Sequence, residues 1–294
     1  LRLLCQSDTL LMDGNFAMAP RLFLQLYILH VPLGETAVPV VYAFMENKTQ
    51  DSYEELLNAV VAAAEATTET SPNPGLVITV FETAAVNSAR AVFGEDVTTR
   101  GCYFHFRQST WRKIQELSLV SLYMESDVFR LFVGMMNGLA FLPLDDIARG
   151  IEFLRTTAPP EAEDLLDYFD STYVTGTCTA PKFSPRIWNM HVATMTGDHR
   201  TDNLAEAWNR KFSSMVGHCH PTIWRAIDAL QSQQASVATV MTQEMAGHPP
   251  KKKTKRIYKE MQQRLVTLCT QYVQGLRPLN DFLRGVGHMN TFSY

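Results

Sequence analysis

Cys102 and His105, and the run His218-Cys219-His220, are the side chains of this sequence whose types suit a soft metal ion. Such ligands at such short spacings permit zinc, which is held tetrahedrally by Cys and His. A long helical stretch separates the two groups and nothing in the sequence draws them together, so local packing is preferred and zinc is not expected. Lys251-Lys252-Lys253-Thr254-Lys255-Arg256 is the sharpest cationic run. It suits a polyanion, as a DNA contact or a nuclear localisation signal, or else is the solvated start of the helix that follows. The carboxylates are less explicit. Asp13 followed by Gly14 reads as a turn at a strand end. Glu206 has capping-box spacing to Asn203. It also points off the apolar face formed by Leu204, Trp208, Phe212 and Met215, toward a cleft or toward solvent. Trp111, Trp188, Trp208 and Trp224 read as core or inter-helix anchors rather than base-stacking platforms.

These groups need a scaffold, and the hydrophobic pattern supplies one. Thr9–Asp13, Leu22–Val31 and Val38–Met45 are apolar and β-rich, separated by Gly14-Asn15 and Pro32-Leu33-Gly34, and read as three successive strands. Asp51-Ser-Tyr-Glu54 resembles a capping box, with Leu56, Leu57, Val60, Val61 and Ala64 at helical spacing behind it. Leu76–Phe81 is a short strand buried on both faces, Ala84–Phe93 its crossover helix, and Arg100–Phe106 a fifth strand. Leu1 to Asp8 carries no clear element. The order β-β-β-α-β-α-β is the plan of a ribonuclease H-like α/β domain with a mixed sheet. From Gln108 the pattern turns helical, predicting a large all-helical insertion. Helices follow near Asp202–Val216, Pro221–Ala246 and Lys251–Gly275. The predicted divisions are an N-terminal core part over 9–107, the insertion over 108–200, C-terminal core helices over 201–247 and a basic helical tail over 248–294.

Composition bounds the function classes. A chain of 294 residues, 46% hydrophobic and 19% charged, buries a large core. No apolar run approaches the roughly 18 residues of a membrane span, and the start lacks the order of a signal peptide, so neither membrane insertion nor secretion is expected. Five scattered cysteines read as reduced intracellular thiols rather than a disulfide framework. The net charge of −4 conceals an asymmetry: residues 1–204 carry 14 Lys+Arg against 25 Asp+Glu, or −11, and residues 205–294 carry 12 against 5, or +7. The basic end again suggests a polyanion partner.

Several segments together resemble the Mutator-like element (MULE) transposase family: Met12-Asp13-Gly14-Asn15-Phe16, Leu26 to Met45, Asn47-Lys48-Thr49, Gly75 to Ala85, Gly101-Cys102-Tyr-Phe-His105, Tyr168-Phe-Asp-Ser-Thr-Tyr173, Trp188-Asn189 and Arg200 to Arg210. The resemblance runs over roughly residues 9–235. It implies a DDE-type enzyme that cuts and joins DNA by two-metal phosphoryl transfer, with three carboxylates holding Mg²⁺ or Mn²⁺. By position Asp13 is the first acid and Glu206 the third, both metal ligands, while Cys102 and His105 form the family's Cys-x-x-His. The second acid falls on Val80, which cannot ligate a metal, and Glu82 is the substitute within reach. The resemblance further implies DNA as partner, a homodimer or higher assembly on DNA ends, and a nuclear location. Two readings stand: a transposase core impaired in cleavage, and a non-catalytic derivative that keeps DNA or protein contacts.

Overall fold

The computed structural model describes residues 1–34, 36–198, 203–247 and 256–290, with Asn203, Leu204, Glu206, Glu244, Met245, Ile257 and Tyr258 as backbone only. In chain order the strands are β1 (Thr9–Asn15), β2 (Gln25–Leu33), β3 (Thr36–Met45), β4 (Leu76–Thr79) and β5 (Thr98–Gly101). The α-helices are α1 (Arg2–Gln6), α2 (Gln50–Thr68), α3 (Thr83–Phe93), α4 (Tyr103–Glu116), α5 (Val120–Glu125), α6 (Asp127–Gly138), α7 (Ile147–Thr157), α8 (Glu163–Phe169), α9 (Pro185–Trp188), α10 (His191–Thr196), α11 (Asn203–Val216), α12 (Ile223–Met245), α13 (Arg256–Val273) and α14 (Leu279–Met289). None of the described helices is long and apolar enough to cross a membrane. The chain divides into two compact units, one of residues 1–100 and 201–253, the other of 101–200 and 254–294.

The first unit is built on a mixed five-stranded sheet in the order β3-β2-β1-β4-β5. β1, β2 and β3 form an antiparallel meander, and β4 lies parallel to β1 with Met12 opposite Thr79. Both faces are covered. Leu10, Met12, Tyr27, Leu29 and Val77 pack with Tyr53, Leu57 and Val60 of α2 and Ala85 and Ala89 of α3. Leu26 and Ile28, one residue out of step, pack with Trp208 and Phe212 of α11 and Ala229 of α12. That alternation is the period-2 pleat, and it explains why β2 reads as a continuous apolar run.

The element order holds, and several predicted boundaries shift. Leu22 belongs to a turn before β2, where the Phe23 N–H donates to Pro20 O at 2.8 Å and Leu22 stands 79% exposed. β2 runs on through Pro32 and Leu33, and the reversal falls at Gly34, whose φ of 57° lies in the left-handed region. The cap of α2 is Thr49, whose hydroxyl accepts from Ser52 N–H at 3.3 Å, rather than Asp51. β4 ends at Thr79, so Val80 and Phe81 are not strand residues. The fifth strand ends at Gly101, and Tyr103, Phe106, Thr110 and Ile114 form the buried face of α4. Their three- and four-residue spacing outweighs the β propensity of the aromatics. Arg2–Gln6, expected to be structureless, forms α1 and buries Leu4.

Among the described residues of the second unit, the regular elements are helices, apart from Gly101 at the end of β5. Its core is aromatic: Phe106 stacks on Trp188 at 5.1 Å, and Phe169 and Tyr173 pack edge-on against Phe106. Trp188 Nε1 donates to Tyr173 O at 2.8 Å. Asp170, buried in a π-helical turn over Asp170–Val174, accepts from Arg155 Nη2 at 2.6 Å. The motif residues around 168–173 and 188–189 are therefore part of this core. α14, which the hydrophobic pattern does not announce, buries Phe282, Leu283 and Val286. It approaches α6 so closely that a Cβ on Gly134 would lie 2.3 Å from Gly287 O.

Candidate functional site

Asp13 lies in β1, two residues before its end, and is only 3% exposed. Because Leu10 and Met12 face α2 and α3, pleat alternation turns Asp13 toward α11. Its Oδ1 accepts from Gly14 N–H at 2.9 Å and its Oδ2 from Asn209 Nδ2. Asn209 in turn accepts from Asn15 Nδ2 at 3.1 Å, and Asn15 Oδ1 accepts from Met18 N–H at 3.1 Å. A buried carboxylate is tolerable only when donors compensate its lost hydration. The amides of Asn209 and Gly14 do this here. A Cβ at Gly14 would lie 2.3 Å from Gln25 Oε1, so a larger residue there would push the Gln25 amide aside.

Asn209 escaped the sequence reading although it lies one helical turn after Glu206, within the segment that carries the resemblance. Its partner is 196 residues away, so only the i, i+3 spacing to Glu206 pointed to it. Asn209→Ala leaves Asp13 Oδ2 one donor short and is expected to lower the unfolding free energy by about 1–3 kcal/mol. Urea unfolding checks this: the midpoint should fall at constant m. An unmoved midpoint would show that the contact carries no stability.

Position 80 lies beside Asp13 if the β1–β4 register is extended by one residue beyond Met12 and Thr79. Val80 there is half-buried and no longer in the strand, so the expectation that it extends a buried strand fails. The backbone turns at once: Glu82 N–H donates to Val80 O at 2.8 Å, and Glu82 becomes the N-cap of α3. Strand alternation therefore does not carry from Val80 to Glu82, which removes the geometric ground for Glu82 as a same-face substitute. Its carboxylate is engaged elsewhere. Tyr53 OH donates to Oε2 at 2.7 Å and Lys48 Nζ lies 2.8 Å from Oε1. Gln25 Nε2 donates to Tyr53 OH at 2.9 Å, and Tyr27 OH lies 3.4 Å from Thr79 Oγ1. Burial raises the pKa of both phenols, and for Tyr27 the charges of Asp13 and Glu82 raise it further. Both tyrosines are neutral hydrogen-bonding groups at physiological pH.

Glu206 lies on α11, but its side chain is outside the described residues, as are Lys251, Lys252, Lys253 and Lys255 entirely. Arg256 opens α13, exposed and paired with Glu260 at 2.5 Å. Cys102 is buried at the N-cap of α4 with His105 one turn along, both in the second unit. His218, Cys219 and His220 are exposed on the α11–α12 connector of the first unit. Among the described residues no group of three or more His, Cys, Asp or Glu is gathered to hold a metal. Of the three acid positions, Asp13 is a buried carboxylate, Val80 supplies no oxygen ligand for a hard cation, and the carboxylate of Glu206 lies outside the described residues.

Residues 9–109 match the family model described as MULE transposase domain. Curated proteins and solved structures yield no match.

Proposed function

We propose that this protein, whose residues 9–109 match the MULE transposase domain model, is a transposase-derived, ribonuclease H-like DNA-binding domain impaired in phosphoryl transfer. The observation that carries the reading is that Met12 pairs with Thr79 across the parallel strands β1 and β4: continued one residue further, that register brings Val80 next to the buried Asp13. A β-β-β-α-β-α-β order with β1 beside β4 supports the ribonuclease H-like assignment, and Asp13 then stands where that plan needs its first acid. Loss of one carboxylate removes both a ligand and a negative charge, an effect worth several kcal/mol in the transition state. Each 1.4 kcal/mol is about tenfold in rate. Catalysis rebuilt on Glu82 is disfavoured because Tyr53 and Lys48 already hold that carboxylate.

In this reading the protein keeps the DNA contacts of its family, through the basic C-terminal segment, acts in the nucleus and assembles as a dimer on DNA. The test is duplex DNA binding and plasmid nicking by the full chain in Mn²⁺. Salt-sensitive binding without nicking is expected. Mn²⁺-dependent nicking that disappears in Glu82→Gln would replace this reading with an active, rebuilt enzyme. Failure to bind DNA would remove its DNA-binding half.

A further inference from the structure

Trp208 and Trp224 both read as anchors from the sequence. Trp224 instead stands 75% exposed on the first turn of α12, whereas Trp208 is buried where α11 meets the sheet. The Trp208 indole lies 5.5 Å from the His30 imidazole and 5.7 Å from the Tyr42 phenol, ring centre to ring centre. Trp208 Nε1, Tyr42 OH and both ring nitrogens of His30 are buried, and none has a hydrogen-bond partner among the described residues. The docking of α11 thus seals four polar atoms away from water in one contact. A donor or acceptor buried in this way loses its hydration and gains nothing in exchange. Native interiors mostly avoid that cost.

The two halves of α11 are held differently. Phe212 and Val216, in the second half, pack with Met18 and with Ala229 of α12. Arg225 Nη2 donates to Met215 O at 2.9 Å, and His220 N–H, just beyond the helix, donates to Ala17 O at 2.7 Å. That end is fixed by apolar burial and by hydrogen bonds that are made. The first half carries Trp208, set against the unsatisfied groups, and Asn209, whose amide donates to Asp13 Oδ2. Lifting it hydrates all four stranded atoms together, a gain that an all-apolar contact would not offer. Exposing the indole opposes the motion, so the closed form prevails and the open one is a minor population.

We propose that the first half of α11 is a lid over Asp13, hinged between Phe212 and Met215, whose local opening is eased by the unsatisfied His30, Tyr42 and Trp208. With the lid closed Asp13 is 3% exposed, so a solute meets its carboxylate only in the open state. Opening also withdraws Asn209, one of the donors to that carboxylate. The inference does not depend on DNA binding and stands or falls apart from it.

The experiment is hydrogen exchange by mass spectrometry on the full chain, comparing peptides over 207–216 with peptides over β1 and β2, in water and in urea well below the unfolding midpoint. The α11 peptides should exchange about tenfold faster or more, after correction for intrinsic rates, and respond little to urea, because a local opening exposes little surface. The double variant His30→Leu/Tyr42→Phe removes three of the four stranded atoms and should slow the α11 exchange about tenfold. Tyr42→Phe alone deletes a single hydroxyl and should slow it less, in the same peptides. Exchange of α11 in step with β1 and β2, with the same urea dependence, would show that the helix opens only when the whole unit unfolds and overturns the lid. A local opening that neither variant slows would separate it from the stranded atoms and overturns the proposal as well.

Discussion

Val80→Asp should confer Mn²⁺ binding that the proposed function expects the unaltered chain to lack. Adjacent strands are about 4.8 Å apart, and the Met12–Thr79 register, continued by one residue past the end of β4, puts position 80 abreast of position 13. A carboxylate at position 80 would thus share the surroundings of Asp13. Two carboxylates so close repel, so the substitution should lower thermal stability in chelator. Mn²⁺ should then restore it, by about 2.7 kcal/mol when the free ion exceeds its Kd a hundredfold. Calorimetry gives the affinity and a melting experiment with and without Mn²⁺ gives the linkage. Glu82→Gln in that background should leave the affinity intact, because Glu82 serves Tyr53 and Lys48. A Val80→Asp protein whose melting ignores Mn²⁺ would count against the placement of Asp13 in a metal site.

Acid should destabilise the protein through His30. This residue of β2 is fully buried, packed edge-on against Trp208 at 5.5 Å, and neither ring nitrogen has a hydrogen-bond partner among the described residues. Tyr42 OH and Trp208 Nε1 beside it likewise have none among the described residues. Burial pushes the His30 imidazole down from 6.5 to about 3. Between those values the unfolded chain binds a proton that the folded chain does not, so stability is complete above pH 6.5 and falls as the pH drops toward 3. At about 1.4 kcal/mol per pH unit, lowering the pH from 6.5 to 5 costs about 2 kcal/mol from this one group. His30→Leu should flatten that slope and, by removing two unsatisfied polar atoms, stabilise the protein at neutral pH. Urea unfolding at both pH values checks it, and parallel pH dependence in the two proteins would assign the acid sensitivity to other groups.

The three-strand meander, the first crossover and the amphipathic face of α11 were legible because apolar spacing reports burial directly. Tyr103 to Phe106 misled because aromatic residues favour strands, and only their longer spacing with Thr110 and Ile114 marks a helix. Trp224 misled because a single large apolar residue carries no periodicity. The polar half of the site was the least legible. Asp13, Gly14 and Asn15 stood out as a group, but Asn209, Gln25 and Tyr53 act through partners far away in the chain, and no local pattern encodes such a meeting. Glu82 illustrates the converse: a two-residue spacing has directional meaning only while the strand lasts, and this one ends at Thr79.

The first unit is closed by helices that the chain reaches only after residue 200. During synthesis the sheet emerges with Leu26, Ile28, Tyr42 and Phe44 uncovered on one side, and they remain so until Trp208 and Phe212 arrive. Closing so long a loop costs little more than closing half of it, about 0.6 kcal/mol per doubling, yet the wait leaves an apolar surface open to aggregation. A fragment cut at the limits of the family match, residues 9–109, would make that wait permanent. The smallest soluble piece of the sheet unit must therefore carry α11 and α12.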